Sequence, residues 1–254
     1  MPVERSADLQ GLDLGGIVLV GPGRLGRSMA RALADAGVQV RLVGRGAPIP
    51  PSPLTWLTVP ESALAQVAAQ VPPGGVLLHS SGSAGIEILR PHPCVGSLHP
   101  LMTFPGPEQA MPSLLDLPAA VQGDPQARQA ALALAHRLGM RPFELSGDRR
   151  LYHAAAVLSG NFATVLLAAA SELLVAAGAD PAQAPGLLLP LARQSLENAV
   201  ALGPAAALTG PVVRGQQAVI EGHRAAIAAS CPHLLDSYDS LVLLAQELAQ
   251  AKRA

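Results

Sequence analysis

The chain has 254 residues, half of them hydrophobic, with a formal net charge of -1 and a pI near 6.6. Such apolar content folds into one large core or two modest ones, and the near-neutral charge gives no electrostatic reason to expect nucleic acid or an anionic membrane as partner, so a small-molecule substrate is expected. The two cysteines, Cys94 and Cys231, are too few for a disulfide framework and lack the CxxC spacing of metal and redox motifs, which fits a reducing cytoplasm.

In chain order, the opening MPVERSADLQGLDLGG has no apolar run followed by a cleavage site, so no signal peptide is expected and the mature chain is expected to start near Met1. From there to about residue 146, short β-type runs alternate with helical ones. The strands are expected at 17–20, 38–43, 55–59, 75–80, 94–99, 119–123 and 141–146. Between them lie helical stretches such as RLGRSMARALADAG and DPQARQAALALAHRLG, each stopped by glycine. This alternation is the pattern of a parallel sheet with crossover helices. From Asp148 the strand signals end and Ala/Leu-rich helical periodicity takes over, with FATVLLAAASELLVAAGA, interrupted by Glu172, expected as a buried helix rather than a bilayer span. The expected fold is therefore α/β, a Rossmann doubly wound parallel sheet over residues 1–147, followed by an all-helical domain over 148–254. The apolar faces of that second domain predict a homodimer.

The run IVLVGPGRLG places Gly21, Gly23 and Gly26 in a GxGxxG pattern directly after a strand and at the mouth of an amphipathic helix. In that context the first glycine permits the turn, the second lets backbone approach a pyrophosphate, and the third packs helix on strand. Gly21, Pro22, Gly23, Arg24, Leu25 and Gly26 are thus the expected cofactor loop. The second strand ends in VGRG, without the carboxylate that would accept from the ribose hydroxyls of NAD. Arg45, 24 positions after Gly21, suits a 2′-phosphate, so NADP is the expected cofactor. Arg24 and Arg45 have a second reading as solvated loop charges.

Four further stretches, LLHSSGS at 77–83, GSLHPLMTF at 96–104, YHAAAVLSGNF at 152–162 and LTGPVVRG at 208–215, resemble a bacterial family of Rossmann-like proteins with a C-terminal helical domain of unknown function, in the 6-phosphogluconate dehydrogenase-like superfamily. Ketopantoate reductase, pyrroline-5-carboxylate reductase and prephenate dehydrogenase are relatives by architecture. The resemblance implies a cytoplasmic NADP-dependent oxidoreductase acting on a small carbonyl or imine, with a ketopantoate-like 2-oxo acid as the leading substrate. Two departures stand out. Several dehydrogenases of the superfamily carry a lysine one turn before an asparagine, where this chain has Val157 before Asn161, and its sole lysine is Lys252. Gln216 follows Gly215 where the family pattern has aspartate.

Candidate catalytic groups follow from placement at strand ends, where open α/β sheets bind ligands. His99, stiffened by Pro100, is the expected proton donor, with a histidine that caps a loop by bonding to backbone as the alternative; its position resembles that of a substrate-contacting histidine in prephenate dehydrogenases. Ser81 is expected near the nicotinamide, with ordinary turn chemistry as the alternative. His153 and Asn161, eight residues apart, are expected on one helix face as further catalytic candidates, or else as a satisfied polar pair. Arg214 is the expected anchor for a substrate carboxylate, or a helix-terminus charge. No histidine–carboxylate spacing supports a metal, and HSSGS lacks the GxSxG of a hydrolase elbow. The missing lysine keeps open a second function, a catalytically silent NADP-binding sensor or scaffold.

Overall fold

The computed structural model describes residues 16–106 and 109–251; the expected start of the mature chain and Lys252 lie outside them. The run IVLV forms β1 (Ile17–Val20), all four residues buried, as a strand covered on both faces requires. It is followed by β2 (Val40–Val43), β3 (Leu54–Leu57), β4 (Val76–His79), β5 (Val95–Pro100), β6 (Pro118–Gly123) and β7 (Arg141–Glu144), so each expected strand is present. They form one seven-stranded sheet in the order β2-β1-β3-β4-β5-β6-β7.

The expectation of an all-parallel sheet needs one correction. β6 pairs antiparallel with β5, Leu98 facing Val121, while β7 is again parallel to β6. The reason is the connection: among the described residues of 101–117 there is no helix to carry the chain back across the sheet, so it returns in the opposite direction.

Alternation along the strands divides the core. Ile17, Leu19, Trp56, Leu78 and Leu98 face α1 (Arg24–Asp35) and α3 (Pro125–Arg137), and Val18, Val20, Leu57 and Leu77 face the side of α2 (Leu64–Ala68). α1 and α3 end as expected at glycines in the left-handed region, Gly37 and Gly139. Val38 N–H reaches back to Leu33 and Met140 N–H to Ala135, closing the last turns.

The chain divides into two units, one ending at Gly160 and one starting at Asn161. The first unit therefore includes α4 (Arg149–Ala156), beyond the 147/148 position where strand signals stop. Asp148 caps α4 by accepting from Arg150 N–H at 2.8 Å, and Arg149 is buried against the sheet. A π-helical turn, Val157–Asn161, follows.

The second unit contains α5 (Phe162–Ala176), α6 (Ala184–Leu202), α7 (Pro204–Ala207), α8 (Gln217–Ser230) and α9 (Leu235–Ala251). Its only buried described residues are Ser171, Ala184, Ile220, Ile227 and Cys231. The expected buried helix is thus exposed within one chain, with Val165 and Leu166 59% and 47% accessible. The stretch Arg149–Ala176 is also apolar and long enough to cross a membrane by length and composition, despite Glu172. Arg224 and Asp239 join α8 to α9 through two bonds of 2.8 and 2.9 Å.

Candidate functional site

The glycine loop leaves β1 at the point where the chain goes first to β2 on one side and then to β3 on the other, the switch point at which open α/β sheets take ligands. Gly21 has φ +111°, a conformation other residues rarely adopt. Gly26 lies so close to the strand that a Cβ would sit 1.9 Å from the Gly21 carbonyl oxygen. Thr58 Oγ1–H holds the turn from β3's end, 2.8 Å from that same oxygen. At Gly23, by contrast, a Cβ would meet nothing within 4 Å, and no side chain caps the start of α1. The first-turn N–H groups of α1 therefore open onto free space beside bare backbone, which fits a dinucleotide phosphate.

That space continues into a cavity of ≈ 610 Å³ lined by Gly21, Pro22 and Gly23, by Arg45 from the end of β2, and by Thr58 and Val59. Among the described residues no acidic one lines it, and Arg45 is exposed at its edge, which suits a phosphate on the ribose better than hydroxyls alone. Arg24 lines a second cavity of ≈ 420 Å³ together with Arg27, Arg31 and Met111, also bounded by Pro22 and Gly23. Leu25 is partly buried against the core.

Farther along the same edge, the ends of β4 and β5 gather a polar cluster. Trp56 Nε1–H donates to Ser80 Oγ at 2.6 Å and Ser80 donates to the Leu98 carbonyl at 2.8 Å, so Ser80 fixes three strand ends. Ser81 O–H donates to Glu61, as does Ser83 O–H, and Ser81 Oγ also accepts from Ala84 N–H at 3.0 Å. The Ser81 proton is therefore committed within the protein, and only acceptor capacity is left for a ligand. Those serine bonds hold the Glu61 carboxyl below its ordinary range.

His99 Nδ1 lies 2.6 Å from the Tyr152 hydroxyl, the rings edge to face. His153 and His99 both close on Gly82, where a Cβ would be 2.6 Å from His153 Cδ2 and 3.2 Å from His99 Nε2. Arg149, 4% accessible, donates to Ser97 Oγ at 2.8 Å, to Gln122 Oε1 at 3.5 Å and to the Ser81 carbonyl. Burial first, and then the Arg149 charge, push both His79 and His99 down to about 4. Both imidazoles are neutral at neutral pH. Burial raises the Tyr152 phenol to about 12, with Arg149 opposing.

His99, His153, Ser81 and the glycine loop thus share the carboxyl edge of one sheet. Asn161 and Arg214 lie on the second unit, Arg214 exposed in a turn over 211–215. The even face expected through His153, Val157 and Asn161 needs correction, because the π turn changes the residues per turn between them. Arg149, Tyr152, Glu61 and Thr58 were not singled out from sequence. The signal for the first two is RRLYH, where Arg149, Tyr152 and His153 stand at i, i+3 and i+4, a polar stripe at the start of a helix.

Residues 117–244 match the family model DUF2520, a domain of unknown function. No curated protein matches the chain. Among solved structures, a protein of Bacteroides fragilis described as a putative NADP oxidoreductase superposes with a TM-score of 0.77 at 23% identity, covering 92% of this chain and 98% of that one. Protein TM1727 of Thermotoga maritima gives 0.73 at 25% identity over 94% and 100%. A reductive aminase of Aspergillus terreus, solved with NADPH and ethyl-5-oxohexanoate, gives 0.66 at 17% identity over 92% and 94%. These likenesses extend the shared fold over nearly the whole chain.

Proposed function

The chain belongs to the DUF2520 family, and from that premise we propose that it is a cytoplasmic NADP(H)-dependent oxidoreductase that moves hydride to or from a small carbonyl or imine compound, with a ketopantoate-like 2-oxo acid as the first substrate to try. The observation that carries this reading is the joint occupation of one sheet edge by a bare glycine cradle with a carboxylate-free cavity and by a cluster able to hold and move a proton. The bound nicotinamide would supply or accept the hydride. Gly21, Gly23 and the start of α1 hold the pyrophosphate, and Arg45 takes the 2′-phosphate. The pair His99–Tyr152, with His153 beside it, serves the proton that must accompany hydride. The assignments of Arg214 to a substrate carboxylate and of Asn161 to catalysis rest on the sequence motifs. Names of fold relatives point the same way: one is described as a putative NADP oxidoreductase and one is a reductive aminase solved with NADPH.

Calorimetric titration with NADPH, followed by NADPH consumption with a panel of 2-oxo acids and cyclic imines, tests the reading. Tight NADPH binding and turnover of one panel member are expected. The missing lysine motivates the second reading, a silent NADP-binding sensor or scaffold; tight binding with no consumption by any member would favour it. No nucleotide binding would overturn both.

A further inference from the structure

A second group at this edge that carries a proton at neutral pH is the phenol beside His99. Tyr152 is half-buried in α4, its ring edge-on to Phe143 of β7 and to His99, its oxygen 2.6 Å from His99 Nδ1. One turn earlier on the same helix is Arg149, whose buried guanidinium is held by Ser97 Oγ, Gln122 Oε1 and the Ser81 carbonyl, all neutral acceptors. No carboxylate is among these partners. The hydrogen bonds of Arg149 go only to neutral dipoles and Glu61 is the one carboxylate that acts on it through space, so its charge lowers the cost of an anion at Tyr152, against the burial that raises the phenol. The other titratable groups around the pair are His79 from β4, His153 from α4 and Glu61 from the turn after β3, and Glu61 is already engaged by two serines.

We propose that Tyr152 is the catalytic acid: its O–H gives the proton to the substrate oxygen or nitrogen, while His99 Nδ1–H and the charge of Arg149 hold the phenolate left behind. This rests on the oxidoreductase reading above and moves His99 from donor to partner of the donor. The hydride would be supplied to the substrate carbon by a bound reduced nicotinamide, and the C=O or C=N π pair would then move onto the heteroatom. The heteroatom takes the Tyr152 proton, and the O–H bonding pair remains on the phenolate. Water returns a proton to Tyr152 before the next turnover. His99 suits the holding role because it is neutral and has one N–H to commit.

The test uses the full chain and has readouts with and without turnover. In Tyr152→Phe, NADPH affinity should change by less than about twofold while kcat falls by roughly 10²–10⁴-fold. Histidine ¹⁵N shifts of the wild type should show His99 as the Nδ1–H tautomer, and that preference should weaken in Tyr152→Phe. The pH profile adds a third arm. Reduction through Tyr152 stays level across neutral pH, whereas a donor titrating at about 4 would lose tenfold per pH unit above it. Failure of the wild type to bind NADPH overturns the oxidoreductase reading and this assignment with it. NADPH binding together with an Nε2–H tautomer at His99, or with wild-type kcat in Tyr152→Phe, overturns the Tyr152 assignment alone.

Discussion

At the scale of single residues, two glycines of one loop serve opposite ends and can be separated by mutation. Gly26→Ala would drive a Cβ into the Gly21 carbonyl, 1.9 Å away, forcing α1 off the strand. It should cost about 3 kcal/mol in urea unfolding. Gly23→Ala meets no protein atom within 4 Å and its backbone is extended at φ -72°, so stability should change by less than about 0.5 kcal/mol. NADPH binding should nonetheless weaken, because the added methyl occupies the space the phosphate needs. Equal stability losses in the two variants would refute this division. Arg45→Asp tests the adjoining sugar site: it should weaken NADPH by roughly 10²-fold and NADH by less than about threefold, since only the former carries the phosphate it would repel. This loop was legible in the sequence because Gly21 and Gly26 answer local backbone demands and Gly23 keeps the spacing of the pattern between them. Arg149 and Tyr152 were not, because their importance comes from Ser97, Ser81 and His99, residues brought beside them only by folding.

At the scale of elements, the inner strands β1, β3, β4 and β5 were readable because burial on both faces makes them near-continuous apolar runs bounded by turns, whereas the exposed edge strands β2 and β7 were placed by their spacing in the alternation. The direction of β6 was not, since an antiparallel strand with the same burial has the same composition and only its connection differs. The π turn was likewise invisible: Val157–Asn161 contains nothing that a regular helix would exclude outright. The ends of β3, β4 and β5, already paired through their backbones, are further tied by one hydroxyl, the Ser80 Oγ between Trp56 Nε1–H and the Leu98 carbonyl. Trp56 is fully buried, so Ser80→Ala takes the acceptor from a buried indole N–H. A loss of about 1–3 kcal/mol is expected by chemical denaturation. A loss near zero would mean that the three strand ends are positioned by backbone pairing and packing alone.

At the scale of the whole molecule, acid and assembly each have a stated consequence. His79 and His99 sit at about 4 in the folded chain against 6.5 for the ordinary imidazole, so between those values the unfolded chain binds more protons. Stability from this source is complete above about pH 6.5 and lost as pH falls toward 4, by roughly 3 kcal/mol per histidine at most. Urea midpoints should therefore drop between neutral pH and pH 5, and His79→Gln should reduce that drop; a midpoint independent of pH would contradict the burial of neutral imidazoles. Assembly follows from the second unit. A unit that buries only five described residues leaves Leu187, Leu191, Leu196 and Val200 between 59% and 89% accessible, and the excess is spread over α5, α6, α8 and α9. A patch of that extent on a monomer is a liability unless something covers it. A second copy is the proposed cover, because the same surface on two chains is self-complementary about a twofold axis. A single bilayer-length helix would not account for leucines exposed on α6 and α9 as well. Sedimentation equilibrium at micromolar concentration should give twice the chain mass, and Leu191→Glu with Leu196→Glu should shift it toward the monomer. A wild-type monomer, or a protein that floats with lipid vesicles as single chains, would remove the dimer.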